Sequence, residues 1–238
     1  MLAAVLWWLV AEVIGLAAWP LTWRLFGHLP SRGYGLSKAV GLLLSAFILW
    51  WGAILGIVAN GTGGALLSVL FVGALSIWAA RDALRAREGE RSAPQLFDWM
   101  REHKRLIVAV DLLFLFVFAG WTLFRAYNPD ISGTEKPMEF AFINGVLNSK
   151  LFPPQDPWLS GYGISYYYFG YVMLALLIRI TGVLPEVGFN LGVSLWFALA
   201  MVGAFTVVYD LVAMRAKPKG EEQGSASGAA FEAELIDY

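Results

Sequence analysis

Two glutamates four residues apart, Glu135 and Glu139, head a stretch that also carries Lys136, Asp156, Trp158 and three consecutive tyrosines, Tyr166, Tyr167 and Tyr168. Positions four apart share a face of a helix, so the two carboxylates stack if the helix begins early enough. Carboxylates held together in a low-dielectric site can share one proton or together bind a divalent cation. Either arrangement suits a general base working on an acceptor hydroxyl. The competing reading is a solvated helix face on which Lys136 partners the two acids.

The surrounding residues say what must hold these groups. Thr134 followed by Pro137 marks a helix start, with proline tolerated in the first turn. Met138, Phe142 and Val146 recur every four residues, with Ile143 and Leu147 beside them, which predicts a short amphipathic helix at a membrane interface. Pro153-Pro154 and Asp156-Pro157 impose extended, stiff backbone. Trp158 and the tyrosines fit an interfacial aromatic belt. Read as helix, however, three successive tyrosines point about 100° apart. At least one should then face the protein interior, where its hydroxyl needs a partner.

Charged residues inside apolar segments form a second set. Glu12, Asp111, Arg125 and Arg179 all stand in such segments, where a charge is costly and normally has a partner. Asp111 and Arg179 are expected at similar depth and therefore as a structural pair, the rival being separate snorkelling of each to the interface. Arg125 could reach the loop carboxylates, an anionic ligand or the outer headgroups. Asp210 reads as interfacial. The two histidines, His28 and His103, read as solvated loop residues.

The elements that would position these groups follow from composition. Of the 238 residues, 58% are hydrophobic and only 15% charged, more apolar surface than a soluble body of this size can bury. A formal net charge of −1 provides no basic field for nucleic acid, and the lack of cysteine removes disulfides, thiolate metal sites and cysteine nucleophiles. The expected fold is all-α, a polytopic transmembrane bundle of about six spans over residues 1–213, followed by a polar, disordered tail at 214–238. The six apolar segments run from Leu2 to about Phe26, Leu36 to Val58, Ala65 to Ala80, Leu106 to Tyr127, Tyr166 to Val183 and Val187 to Ala213. The first lacks a basic leader and a small-residue cleavage pattern, so it reads as a retained span.

Loop charge sets the orientation. The loop at 81–105 holds seven basic residues, and the first loop with its flanks carries Arg24, Arg32 and Lys38. Loop 128–165 holds only Lys136 and Lys150. The positive-inside rule then places loop 81–105 in the cytoplasm and loop 128–165 outside the plasma membrane. Six spans would put the C-terminus outside as well, although Arg215, Lys217 and Lys219 favour the cytoplasm. Leu84, Leu96, Phe97, Trp99 and Met100 make the basic loop partly amphipathic, which suits either contact with anionic lipid headgroups or an ordinary topology-setting loop. No internal repeat is visible, which leaves a transporter with little support.

Three motifs together, Glu-Lys-Pro-Met-Glu-Phe-Ala-Phe (135–142), Phe-Pro-Pro-Gln-Asp-Pro-Trp (152–158) and Tyr-Tyr-Tyr-Phe-Gly-Tyr (166–171), resemble the YYY membrane protein family of Chloroflexi and archaea. Glu12-Val-Ile-Gly, Arg32-Gly-Tyr-Gly-Leu-Ser-Lys and Phe189-Asn190-Leu191 resemble it too. That family looks like the glycosyltransferase C superfamily, whose enzymes take sugars from lipid-phosphate donors. The resemblance implies that Glu139, at a position commonly aspartate, is the catalytic carboxylate, with Glu135 beside it. It further implies that Lys136, Asp156, Trp158 and the three tyrosines line a substrate site for a polyprenyl-phosphate sugar. Family chains are longer, so the resemblance leaves three options: a second polypeptide completes the site, the natural chain is longer, or the module is a structural subunit. Membrane lipids and further membrane subunits are the expected partners. A divalent metal at Glu135 and Glu139 is the expected cofactor if one exists. The alternative is a non-catalytic scaffold or accessory subunit of a larger membrane complex.

Overall fold

The computed structural model describes residues 1–81 and 96–216. The tail expected at 214–238 and the middle of the basic loop, with Leu84, fall largely outside them. Eight α-helices make up the described chain: α1 Leu2–Leu25, α2 Ser37–Ile54, α3 Thr62–Ala79, α4 Leu96–Glu102, α5 Lys104–Tyr127, α6 Lys136–Asn148, α7 Phe169–Thr181 and α8 Pro185–Ala216. A 3-10 turn, Tyr34–Leu36, leads into α2. Among the described residues the only β pairing is an isolated bridge between Gln155 and Gly163. The protein is a helical membrane protein, as composition predicted.

Five helices are long and apolar enough to cross a bilayer: α1, α2 with its leading turn, α3, α5 and α8. The sixth expected crossing is not one. At about 1.5 Å per residue, the 13 residues of α7 span roughly 20 Å, short of the ~30 Å hydrocarbon core. Both of its ends are tied to the same end of the bundle. At its start, Trp50 Nε1, near the end of α2, donates to the Tyr168 hydroxyl at 3.0 Å. At its finish, Arg179 Nη2 donates to the Leu147 carbonyl at 2.7 Å, and Thr62 Oγ1 at the start of α3 donates to the Arg179 carbonyl at 3.4 Å. The apolar content that mimics a span is spent inside the protein, where Val172 and Leu174 to Ile178 are all buried.

With five crossings, α8 runs the other way from the six-span expectation. Its first turns meet the end of α5, and its last turns meet the first loop: Asp210 accepts from Ser31 N and Ser31 Oγ, each at 2.7 Å. Asp210 is therefore not an interfacial charge but a buried clamp on that loop. The end of α8 lies beside the first loop and α4, opposite the α6 region.

Small residues let α1 and α2 approach closely, the usual device where no hydrophobic drive separates helix from lipid. A Cβ on Gly41 would lie 2.5 Å from the Ile14 carbonyl oxygen, and one on Gly15 would lie 2.6 Å from Lys38 Cγ. The Ile14 contact is with backbone, which cannot rotate away. Gly41→Leu should therefore destabilise the protein by at least the ~1–3 kcal/mol typical of overpacking. Thermal unfolding of the detergent-purified variant checks this, and an unchanged midpoint would contradict the packing.

α4 tucks Trp99 beneath the end of α1, with ring centroids 6.3 Å from Trp19 and 5.2 Å from Trp23. Leu96 and Trp99 are buried there, so this part of the basic loop packs on protein instead of lying free on headgroups. His103 is no solvated loop residue either: its ring stacks on Trp99 at 4.6 Å.

Candidate functional site

α6 and the chain that follows it carry most of the residues singled out above. α6 starts at Lys136, with Glu135 at its N-cap, Pro137 in the first turn and Glu139 just after it. Acidic groups are favoured there by the positive end of the helix dipole. The amide of Glu139 donates to the Glu135 carbonyl at 2.9 Å, so the two acids sit one helical turn apart on one face.

The segment is held from below by a residue the sequence reading passed over. Asn60, in the uncharged second loop, is buried. Its Nδ2 donates to the carbonyls of Val146 at 2.7 Å and Ser149 at 2.8 Å, and its amide donates to the Lys150 carbonyl at 2.8 Å. These carbonyls lie at and just beyond the end of α6, where intrahelical partners run out, and the Val146 carbonyl also accepts from the Ser149 amide at 3.3 Å. The signal was an Asn-Gly pair between two spans, which reads equally well as a plain turn.

Beyond α6, residues 155–163 form a small hairpin. Asp156 Oδ1 accepts from the amides of Trp158 at 2.8 Å and Leu159 at 3.0 Å, so this carboxylate shapes the turn. Trp158, Leu159 and Tyr162 stand exposed at its tip. Lys136 forms no ion pair within 4.0 Å among the described residues, so it does not neutralise the glutamates through a direct contact.

The three tyrosines diverge, but not around a helix, because α7 begins only at Phe169. Tyr168 turns inward to Trp50 and packs near Phe152, with ring centroids 6.1 Å apart. Tyr166 and Tyr167 lie with ring centroids 4.0 Å apart and planes tilted by 31°, and the Tyr166 hydroxyl donates to that of Tyr167 at 2.8 Å. Phe142 of α6 joins the group, 5.6 Å from Tyr166, 5.8 Å from Tyr171 and 5.5 Å from Trp158. The Tyr166 phenol is pushed up to about 12, first by its bond to Tyr167 and then by burial and nearby charge that includes Glu135 and Glu139. Burial, followed by the charge of Glu139, pushes the Tyr171 phenol up to about 12 as well. Both phenols stay neutral near pH 7; that of Tyr171 can donate a hydrogen bond beside the two carboxylates, while the proton of Tyr166 is given to Tyr167. Tyr171, which the sequence reading did not rank as a site residue, belongs to this patch.

The expected divalent ion finds a limited ligand set. Glu135 and Glu139 stand together, but among the described residues no group of three acidic or histidine side chains gathers. A divalent ion held there would complete its shell with water or substrate oxygens.

The buried charges arrange themselves differently from the expected pair. Lys38 Nζ, 4% exposed, lies 2.9 Å from Glu12 Oε2 and 2.8 Å from Asp111 Oδ1. The Tyr34 hydroxyl donates to Asp111 Oδ2 at 2.7 Å. Asp111 and Arg179 do not pair: Asp111 takes Lys38 and Tyr34, whereas Arg179 Nη2 donates to the Leu147 carbonyl. Lys38, which reads from sequence as a charge flanking the first loop, lies in the first turn of α2 and joins three spans. Arg125 is buried rather than snorkelling; its Nε donates to Asn190 Oδ1 at 2.9 Å and its Nη2 to the Asp130 carbonyl at 3.3 Å.

A family model described as an uncharacterized membrane protein (DUF2298) matches residues 44–233, which takes in the end of α2, the aromatic patch and α8. No curated protein and no solved structure matches the chain.

Proposed function

The chain belongs to the DUF2298 family of uncharacterized membrane proteins, and from that premise we propose that its α6 patch is the acceptor side of a glycosyl-transfer site fed by a polyprenyl-phosphate sugar. One observation carries this reading: Glu135 and Glu139 share a helix face, and the neutral phenols of Tyr166 and Tyr171 stand within their electrostatic reach. The resemblance of the 135–142, 152–158 and 166–171 motifs to the YYY family supports it.

In this reading Glu139 accepts the proton of the acceptor hydroxyl as its oxygen bonds to the anomeric carbon of the sugar. The bond from that carbon to the phosphate oxygen breaks, and the electron pair leaves on the lipid phosphate. Tyr171 donates to sugar or phosphate oxygens, as does Tyr167, whose hydroxyl accepts from Tyr166 and keeps its own proton for donation, and the rings of Phe142 and Trp158 offer apolar faces to a sugar. Asp156 and Tyr168 position the patch through the hairpin turn and Trp50. A divalent ion at Glu135 and Glu139 would help neutralise the leaving phosphate.

The test is transfer from polyprenyl-phosphate sugars in reconstituted vesicles. Glu139→Gln should lower the rate at least about a hundredfold, the scale of a lost general base. The Glu135→Gln, Glu139→Gln double variant should be no faster. Unchanged transfer in the double variant would refute the role.

The exposed tip of the hairpin, Trp158, Leu159 and Tyr162, favours a second reading. An aromatic tip of this kind suits an accessory subunit that docks on a larger membrane partner. Stable co-purification with such a partner, combined with no transfer by the isolated chain, would move the assignment there.

A further inference from the structure

A cavity of about 540 Å³ opens between α1, α5 and α8 at the end of the bundle that carries α6. Ala4, Trp8, Phe118, Ala119 and Leu191 line its body, and Arg125, Asn190, Glu186 and Thr122 stand in its wall as polar groups. Its size falls in the ~300–1,000 Å³ range of small-molecule sites. Its apolar body suits a hydrocarbon chain and not a polar metabolite.

Arg125 gives the cavity its chemistry. Its side chain is only 8% exposed, and its hydrogen bonds go to neutral oxygens, those of the Asn190 amide and the Asp130 carbonyl. Among the described residues no carboxylate lies within 4.0 Å of it. A buried guanidinium in an apolar setting is stabilised by a counter-charge in direct contact, and among the described residues none makes that contact. Planar guanidinium groups match phosphate oxygens well. Glu186 lies in the first turn of α8 and lines the same cavity. Its negative charge disfavours a doubly charged phosphomonoester. It also offers an acceptor to hydroxyls on a singly charged headgroup.

We infer that this cavity holds a chain of an anionic phospholipid of the phosphatidylglycerol type. The phosphodiester sits against Arg125, and the glycerol hydroxyls face Glu186. The site is separate from the α6 carboxylates and does not rest on the transfer reading. It gives the buried guanidinium its missing counter-charge and fills the gap between α5 and α1 with hydrocarbon.

The test uses the full chain, purified in mild detergent and stripped of lipid. Dioleoyl-phosphatidylglycerol, dioleoylglycerol and glycerol 3-phosphate are added separately, and native mass spectrometry and thermal unfolding are read. One phosphatidylglycerol should be retained per chain and should raise the unfolding midpoint, with neither control reproducing this. Arg125→Gln should weaken retention at least about tenfold, as expected for a lost charge-assisted hydrogen bond. Because Arg125 also ties α5 to α8, Ala119→Phe provides a second route: it fills the cavity, leaves Arg125 in place and should abolish retention. Equal stabilisation by dioleoylglycerol would overturn the role of the charge. Equal stabilisation by glycerol 3-phosphate would overturn the role of the chain. Undiminished binding to Ala119→Phe would show that the lipid sits elsewhere.

Discussion

Lys38→Met should be among the most damaging single substitutions in this protein, costing about 3–5 kcal/mol, as breaking a buried pair from one side does. Lys38 is 4% exposed and holds two carboxylates, Glu12 on α1 and Asp111 on α5, at 2.9 and 2.8 Å. Without its ammonium, the half-buried acids Glu12 and Asp111 on neighbouring spans face each other uncompensated. The Tyr34 hydroxyl partners only one of them, at 2.7 Å from Asp111. Methionine keeps the apolar stem that packs against Gly15 and removes only the ammonium, together with its contact over the Phe114 ring at 5.1 Å. The check is thermal or denaturant unfolding in detergent, with the Lys38→Met, Glu12→Gln, Asp111→Asn triple variant as control. Removing all three charges should recover much of the loss, because the penalty comes from the orphaned acids. A Lys38→Met protein as stable as the parent would sink the cluster as a structural element. So would a triple variant less stable than the single one.

The same cluster shows where sequence reading works and where it stops. The five crossings were legible because apolar length is a direct requirement of the bilayer. The acidic and aromatic segment was legible because a plain connector needs none of its groups. α7 was misread because apolar composition reports removal from water and does not distinguish lipid from protein. Leu174 to Ile178 are as apolar as any span, yet their neighbours are α1, α2, α3 and α8. Lys38 was misread for a related reason. A lysine near the start of a span looks like a topology signal, and only the packing of α1 and α5 shows what it neutralises. Pairing is a property of tertiary contact, so Asp111 could be recognised as needing a partner, while the identity of that partner could not be read. The patch followed the same rule: Glu135, Glu139 and Tyr166 were legible as types, whereas Tyr171 and Asn60 became significant only through the residues they face.

The five-crossing arrangement makes an all-or-none prediction about sides. The end of α8 stands with the first loop through Asp210 and Ser31, and α4 packs under α1 at that same end. Arg24, Arg32, Arg101, Lys104, Arg105 and Arg215 lie in the segments gathered there, while the patch with Glu135 and Glu139 lies at the other end. The charge bias is then consistent among the described residues, and Arg215 no longer conflicts with the loops. The chain has no cysteine, so single cysteines can be introduced cleanly. Ser160→Cys in the hairpin should react with a membrane-impermeant maleimide on intact cells. His28→Cys in the first loop and Ser225→Cys beyond α8 should react only after permeabilisation. A sixth crossing would move Ser225→Cys to the side of Ser160→Cys, so joint labelling of those two on intact cells would refute the arrangement. Labelling of His28→Cys and Ser225→Cys together from outside would keep the five crossings and reverse the orientation. The α6 carboxylates would then face the cytoplasm, and the acceptor would have to be sought there.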